Sequence, residues 1–296
     1  MQKEKRSTWM IMASMFIFGT LSPFVRNISV TSGELALYRA VLAALCIGGY
    51  LLLRRQTIDL KAIRKELVLL LLSGGAMGFN WILLFEAYKY TTVSVATLSY
   101  YFAPVIVTAA CPLLFREKLT RKQVLCFVMS TIGLVLITVT GDMAAGGRDL
   151  IGIGFGLGAA VLYASVVLLN KFIRNVAGIH RTFLQFLAAI LVLAPYVACT
   201  GGATLGDMNA AGWICLLVVG LVHTGVAYCL YFSSLADLPG QKAAILSYVD
   251  PLVAVLISVT VLGEAMGPLQ LLGGGLILGF TLWNELPDRK GKQHEM

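Results

Sequence analysis

The stretches that decide the fold are two similar segments about half a chain apart. Residues 249–270 read VDPLVAVLISVTVLGEAMGPLQ, and residues 102–123 read FAPVIVTAACPLLFREKLTRKQ. In both segments a glutamate follows the proline by 13 residues, and a glutamine follows the glutamate by 6. An offset of 147 residues, without a gap, aligns Tyr101 with Tyr248, Pro104 with Pro251, Glu117 with Glu264 and Gln123 with Gln270. The shared register of these rarer residues predicts an internal repeat.

The composition is that of a membrane protein. Of 296 residues, 58% are hydrophobic and 13% are charged, whereas about a quarter of the residues in a soluble domain are charged. Apolar stretches near the length of about 20 residues that a membrane-spanning helix needs recur along the chain. Ten spans are predicted, at residues 8–25, 34–53, 67–88, 93–115, 123–139, 152–169, 183–199, 213–232, 243–262 and 267–284.

The distribution of Lys and Arg predicts the orientation of the chain. If the N-terminus is cytoplasmic, inner segments hold 19 of the 23 basic residues, Arg181 among them. Outer segments hold three, and Arg39 lies within the second span. By the positive-inside rule, both termini are expected in the cytoplasm of a cell whose cytoplasmic membrane holds the protein. The net charge of +8 therefore reflects topology, and no nucleic-acid partner is expected.

Five spans per repeat is an odd number, so the second copy must enter the membrane from the opposite side. We therefore expect an all-α polytopic membrane protein with ten transmembrane helices, arranged as two inverted five-helix repeats at residues 1–145 and 146–296. Inverted repeats are common in secondary transporters, which bind substrate near the membrane midplane between the halves. The basic start and apolar first segment, with no small-x-small cleavage site, indicate a retained first helix rather than a signal peptide.

The repeated proline, glutamate and glutamine pattern resembles the EamA-type members of the drug/metabolite transporter superfamily. Phe18-Gly19 stands where that family often has Trp-Gly, which is a departure. The resemblance implies a ten-helix metabolite exporter or permease, driven by ion gradients or running by facilitated diffusion. Its motifs mark the fold and leave the substrate open.

Asp250 and His223 are the polar residues expected deep in the membrane. By helical rise, Asp250 lies about 10 Å and His223 about 13 Å from the cytoplasmic ends of consecutive spans. A charge at such depth is expected to face a cavity or a partner. We interpret Asp250 as a site for a proton or a substrate amine, with His223 tuning it. A structural hydrogen bond between the two spans is the alternative.

Two prolines are expected to break their helices. Pro251 and Pro104 each remove one intrahelical hydrogen bond, from the carbonyls of Ser247 and Tyr100. Their matched positions predict a paired hinge, and a plain kink is the alternative. Glu117 and Glu264 are expected to cap or orient the helix that follows each of them.

Helical spacing groups the remaining candidates around a pocket. Ser247, Asp250 and Ala254 share one face, and Gly220, His223, Ala227 and Tyr231 another. Aromatic walls suit a ring or an ammonium group, although plain packing would explain them equally. The predicted substrate-binding residues are Asp250, His223, Asn80, Trp81, Tyr100, Tyr101, Tyr248 and Ser247.

Arg39 and Glu86 form a second predicted constellation. Both lie near the outer ends of neighbouring spans, at similar depth, which allows an ion pair. A structural bridge or outer gate is the favoured interpretation, and a substrate carboxylate bound by Arg39 is the alternative. Because Arg39 is the one cation assigned to a span, phosphate-bearing substrates fit less well than neutral, zwitterionic or amine-bearing ones.

The sequence thus favours a secondary transporter of small organic metabolites, with amino acids or related compounds as the best class. Protons are the expected coupling ion, and the oligomeric state is expected to be a monomer or a homodimer. A facilitative channel or a non-transporting sensor is the alternative. An enzyme is disfavoured because the three histidines and the acids are not clustered, so no cofactor, metal or catalytic residue is expected.

Overall fold

The computed structural model of the protein describes residues 2–58, 60–115, 120–145, 148–173, 175–176, 178–200, 204–235, 238, 243 and 246–286. The predicted role of Glu117 falls outside these residues. The described part is all-helical, as the sequence predicts. Its first half comprises α1 (Gln2–Gly19), α2 (Leu21–Arg26), α3 (Ser32–Leu53), α4 (Leu60–Arg64), α5 (Leu67–Tyr90), α6 (Val93–Tyr100), α7 (Ala103–Phe115) and α8 (Arg121–Ala145).

The second half is also helical. It comprises α9 (Arg148–Phe172), α10 (Gly178–Cys199), α11 (Ala210–Leu217), a π-helical segment (Val218–Val226), α12 (Ala227–Leu235), α13 (Val249–Thr260) and α14 (Pro268–Glu285). A 3₁₀ turn, Leu205–Asp207, precedes α11. Within the described chain, α8 packs along α14, where a Cβ on Gly133 would lie 2.6 Å from the Gly273 carbonyl oxygen. Glycine is therefore needed at this approach of the two backbones.

Both predicted proline sites interrupt a helix, and they do so at equivalent residues. The first break lies between α6 and α7, where Tyr101 and Phe102 form a turn. The second lies at Tyr248, a turn between helical residues 246–247 and the start of α13. Each turn residue stands three positions before its proline, Pro104 or Pro251. The break that the prolines predict is thus present in both repeats, in the same register.

The predicted span at residues 213–232 is not a regular α-helix. Its middle nine residues, Val218–Val226, form a π-helix, in which hydrogen bonds run from residue i to residue i+5. Thr224 Oγ1 donates to the carbonyl oxygen of Val219 at 2.8 Å, which adds a side-chain bond at the same spacing. The wider turn rotates the side chains that follow it away from their α-helical positions. Regular helical spacing is therefore the wrong guide to this segment.

Seven helices of the described chain are long and apolar enough to cross a membrane. They are Lys3–Arg26, Ser32–Leu53, Leu67–Tyr90, Val93–Ala110, Arg148–Phe172, Gly178–Cys199 and Ala210–Ser234. The predicted spans represented by α8, α13 and α14 are not in this set. For α13 the reason is length, since its 12 residues extend only about 18 Å. The count of ten spans is therefore not confirmed.

Close helix packing holds the first helix against the second proline break. A Cβ on Gly19 would lie 2.6 Å from both the Asp250 carbonyl oxygen and Val253 Cβ. The largest cluster of buried apolar residues in the described chain includes Trp81, Phe85 and Phe186. The ring centroids of Trp81 and Phe186 are 5.4 Å apart. These contacts fix the wall of the cavity described next.

Candidate functional site

A cavity of about 480 Å³ lies between the two halves of the described structure. Residues of both halves line it, from α1, α2, α3, α5, α6, α7, α9, α10, α12 and α13, together with both proline breaks. The volume suits a small organic molecule. Nine predicted site residues line this cavity, namely Asp250, Asn80, Trp81, Tyr100, Tyr101, Tyr248, Ser247, Arg39 and Pro104.

Asp250 lies in this cavity and contacts the opposite proline break. Tyr101 Oη donates to Asp250 Oδ2 at 2.5 Å. Tyr101 belongs to a row of phenols, because its ring centroid lies 5.6 Å from that of Tyr100, and Tyr100 lies 5.5 Å from Tyr163. Among the described residues no basic side chain forms an ion pair with Asp250 within 4.0 Å. Its carboxylate can therefore receive a proton or a cationic group from the cavity.

Arg39 is buried in the cavity wall on α3. Its Nε donates to Thr224 Oγ1 at 2.7 Å. The guanidinium carbon lies 4.7 Å from the ring centroid of Trp81 and 5.7 Å from that of Phe85. The ion pairs of the described chain do not include Arg39. No acid of the described residues pairs with this buried cation within 4.0 Å, so a bound anion could pair with it.

The predicted ion pair between Arg39 and Glu86 is not formed. Glu86 Oε1 instead accepts from Lys89 Nζ at 2.8 Å, one helical turn away on α5. Glu86 is also absent from the cavity lining. The prediction failed because similar depth on neighbouring helices does not establish that two side chains point toward each other. Arg39 is turned toward the cavity, and Glu86 is turned toward Lys89.

His223 is buried, but it does not reach Asp250 as predicted. Its Nε2 lies 3.2 Å from Thr20 Oγ1 and its Nδ1 lies 3.3 Å from the Val218 carbonyl oxygen. The imidazole also packs on Phe24, with centroids 4.8 Å apart. It lies in the π-helical segment and is not among the residues that line the cavity. The π-turn therefore separates His223 from Tyr231, which does line the cavity, although regular spacing had put both on one face.

The other predicted residues hold structural contacts within the lining. Asn80 Nδ2 donates to the Ala159 carbonyl oxygen at 2.6 Å, which ties α5 to α9. Ser247 Oγ donates to the Ala243 carbonyl oxygen at 2.9 Å. The Trp81 ring packs against the Arg39 guanidinium, as described above. Pro251 is buried but does not line the cavity, in contrast to Pro104.

Glu264 caps a different helix from the one predicted. Its Oε2 accepts from the backbone N–H of Val93, at the start of α6, at 2.8 Å. The same carboxylate forms an ion pair with Arg26 and accepts from Ser258 Oγ. Gln270 Oε1 instead accepts from the backbone N–H of Gly267, at the start of α14, at 3.0 Å. Glu264 thus joins α2, α6 and α13 at one end of the molecule.

Several residues that line the cavity were not predicted from the sequence. Arg181 had been assigned to an inner loop, but it lies in α10 and lines the cavity. The structure therefore places two cations in the lining, so the premise that Arg39 is the one cation of the spans, used to disfavour phosphate-bearing substrates, does not hold. The other polar or aromatic lining residues that had not been predicted include Tyr88, Tyr163, Asn170, Gln185, Tyr228 and Phe232.

The fold and site define a multi-pass membrane protein of transporter type, and sequence comparison gives its family. The EamA-like transporter family matches residues 5–139 and, a second time, residues 150–284. The chain therefore belongs to the EamA-like transporter family and contains two EamA repeats. Both the family and the relatives below are named for transport, not for enzymatic activity.

One relative matches nearly the whole chain, and another matches about half of it. The uncharacterized transporter YxxF of Bacillus subtilis (strain 168) is 30% identical over 98% of this chain and 93% of that protein. The threonine/homoserine exporter RhtA of Escherichia coli (strain K12) is 26% identical over 55% of this chain and 54% of that protein. A solved crystal structure that is 16% identical matches 93% of this chain and 94% of its own with a TM-score of 0.62, a likeness of fold.

Proposed function

We propose that this protein is a secondary transporter that exports small organic metabolites, chiefly amino acids or related zwitterionic and amine compounds. The observation behind the proposal is the pair of opposite charges on the cavity lining. Arg39 and Asp250 both line it, yet they form no ion pair with each other within 4.0 Å. Because the two opposite charges line one cavity without pairing, they favour a ligand that carries both a carboxylate for Arg39 and an ammonium group for Asp250.

The two charges suggest one binding mode for such a ligand. The Arg39 guanidinium, held by Thr224 through its Nε, receives the substrate carboxylate through its Nη groups. Asp250, with Tyr101 on one oxygen, receives the ammonium group. The phenol rings of Tyr100 and Tyr163 offer additional cation–π surface beside that position. The name of RhtA, an exporter of threonine and homoserine, supports amino acids as the class of substrate.

Alternating access is the proposed mechanism, with ten membrane spans in two inverted repeats at residues 1–145 and 146–296. The matched breaks at Tyr101 and Tyr248 support hinges at Pro104 and Pro251. The two family matches support the repeats. The excess of basic residues in one set of connections supports cytoplasmic termini in the cytoplasmic membrane. Reporter fusions at each connection would test this topology, and a C-terminus on the outer side would contradict it.

Protons are the proposed coupling ion, and Asp250 is the proposed site. A carboxyl group that alternates between a proton and a substrate ammonium exchanges the two species across the membrane. Among the described residues Tyr101 donates to the Asp250 carboxyl group, which also lines the cavity. Its protonation would release the ammonium group and so link proton entry to substrate exit.

Counterflow in proteoliposomes tests the proposal against its alternatives. Vesicles loaded with unlabelled threonine should accumulate labelled threonine above its external concentration, and uptake should saturate. A facilitative channel would show neither saturation nor accumulation. A non-transporting sensor would show no uptake. Arg39→Gln with Asp250→Asn serves as the inactive control in the same lipid.

A further inference from the structure

The cavity extends beyond Arg39 and Asp250 to a second polar cluster, made of Arg181, Asn170 and Gln185. All three line the cavity. Gln185 Nε2 donates to Asn170 Oδ1 at 2.7 Å and to Ser73 Oγ at 2.9 Å. These two bonds fix the rotation of both amides. The cluster is thus a built site, since a buried glutamine orients the asparagine beside it.

This cluster offers hydrogen-bond donors to the cavity. Arg181 Nη1 donates one long hydrogen bond, 3.4 Å, to the backbone carbonyl oxygen of Asn170. Within the described residues Arg181 forms no ion pair within 4.0 Å, and Asn170 Nδ2 donates no hydrogen bond to another of these residues. Glu66 interacts electrostatically with Arg181 and accepts from the backbone and side-chain N–H groups of Asn175. A guanidinium and an amide N–H therefore remain for an anionic group of a ligand.

The cluster stands apart from the first pair of charges by a distance that the helices define. Phe186 packs on Trp81, the ring over which Arg39 lies. Arg181 precedes Phe186 by five residues of α10 and so lies about 7.5 Å further along the axis. Tyr163 packs on Tyr100 beside Asp250, and Asn170 follows Tyr163 by seven residues of α9, about 10 Å. One molecule of modest length can reach both places.

We propose that Arg181 and Asn170 form a side-chain subsite, and that the preferred substrates are acidic amino acids. The inference rests on the proposed function: Arg39 and Asp250 hold the α-carboxylate and the ammonium group, and Arg181 holds the carboxylate at the far end of the side chain. The separation along the helices favours the longer acids, so 2-aminoadipate and glutamate should bind more tightly than aspartate. Gln185 is a positioning residue that keeps the Asn170 amide aimed at the ligand.

Competition for counterflow by full-length protein in proteoliposomes tests the subsite. Unlabelled glutamate should compete with labelled glutamate about tenfold or more better than glutamine does, because a charge-assisted hydrogen bond is lost with glutamine. In Arg181→Gln, glutamate and glutamine should compete equally well. Arg181→Lys should keep part of the preference for glutamate, because lysine keeps the positive charge but cannot form the bidentate hydrogen bonds of a guanidinium. Lys171→Gln is the matched control. It removes an exposed charge from the same end of α9 and should leave the ratio unchanged.

Other results would overturn the subsite. If glutamate and glutamine compete equally in the unaltered protein, or if Arg181→Gln weakens both to the same extent, Arg181 merely supports the fold or the membrane interface. If Arg181→Gln does not fold, Asn170→Asp places a like charge in the cluster and should reverse the preference toward glutamine; an unchanged preference contradicts the proposal.

A second measurement separates this inference from the proposed function. Glutarate has two carboxylates and no amine, so it tests the two cationic ends of the cavity without transport. It should raise the melting temperature of the purified protein, and Arg181→Gln should abolish the rise. If no amino acid is transported but glutarate still stabilises in this manner, the transport proposal fails and the subsite stands. If the protein transports neutral amino acids but glutarate does not stabilise it, the proposed transport function stands and the proposed subsite is contradicted.

Discussion

Tyr101 and Asp250 lie 149 residues apart in the chain and share a hydrogen bond of 2.5 Å between Tyr101 Oη and Asp250 Oδ2. Each residue belongs to a proline break, one between α6 and α7 and the other at the start of α13. The bond thus joins the two interrupted helices of the two repeats inside the cavity. Any change in the charge of Asp250 acts directly on the contact between these helices, which is where the proposed alternating access would require movement.

Asp250→Asn should abolish transport against a gradient and leave the fold intact. Asparagine keeps the shape of the side chain and can still accept from Tyr101, but it neither binds a proton nor pairs with an ammonium group. The measurement is accumulation of labelled substrate in proteoliposomes under an imposed pH gradient. Asp149→Asn, on α9 and outside the cavity lining, is the control. Normal uphill transport by Asp250→Asn would exclude Asp250 as the proton site.

Arg39→Gln should weaken the binding of substrates that carry a carboxylate. Loss of a charge-assisted hydrogen bond costs about 1.5–3 kcal/mol, or about 10–100-fold in affinity. Competing amines that lack the carboxylate should be affected less. Competition assays with an amino acid and its decarboxylated amine give the two values. Equal weakening of both competitors would show that Arg39 holds the fold through Thr224 rather than the substrate.

Gly19→Ala should destabilise the protein, because its methyl group would collide with the Asp250 carbonyl oxygen and Val253 Cβ at 2.6 Å. Forcing a methyl group into a packed interface costs about 1–3 kcal/mol. Gly49→Ala on α3 is the matched control, since no atom lies within 4 Å of a Cβ there. That variant should match or slightly exceed the unaltered protein, given the helix propensity of alanine. Thermal unfolding in detergent compares them, and equal melting temperatures would refute the close approach.

Glu264→Gln should destabilise the end of the molecule where α2, α6 and α13 meet. Glu264 pairs with Arg26 and accepts from the Val93 N–H and Ser258 Oγ, so its loss should cost about 1.5–3 kcal/mol. Glu86→Gln breaks an ion pair whose Lys89 is 50% exposed and should cost less than about 1 kcal/mol. Thermal unfolding compares the two variants.

The same Glu264→Gln variant should also open the cavity toward that end. A cysteine introduced at Ser22, which lines the cavity, should react faster with a membrane-impermeant thiol reagent once the contact is weakened. The Glu86→Gln background provides the reference rate. An unchanged rate, together with a lowered melting temperature, would assign Glu264 to the fold and not to a gate.

Much of the architecture was predictable from local patterns. Apolar stretches gave the helices, and the matched Pro104 and Pro251 gave the two breaks, because a proline removes its hydrogen bond in any surroundings. The candidates Asp250, Tyr101 and Asn80 line the cavity, since polar groups in apolar helices face protein or water. The structure does not confirm the ten-span count, because α8, α13 and α14 are outside the set of long apolar helices in the described chain, and α13 alone has only 12 residues.

Other parts of the site were not predictable. The π-turn at Val218–Val226 has no sequence signature comparable to that of a proline, and it moved His223 to Thr20 and Phe24. In the sequence, Arg181 resembles the other basic residues near the cytoplasmic ends of the spans, where such residues are common, so nothing marked it as a residue of the site. Only the packing of α10 against its neighbours placed its guanidinium on the cavity.

The sequence by itself determined the helices, the repeat and the register of the two proline breaks, because each depends on residues close together in the chain or on the backbone chemistry of one residue. The tertiary structure decided which polar groups meet: Asp250 with Tyr101, Arg39 with Thr224 rather than Glu86, and Arg181 with Asn170 at the far end of the cavity. These side-chain contacts depend on the rotation and the axial offset of helices that are distant in the chain. Helical periodicity fixes which residues share a face, but packing fixes what that face contacts.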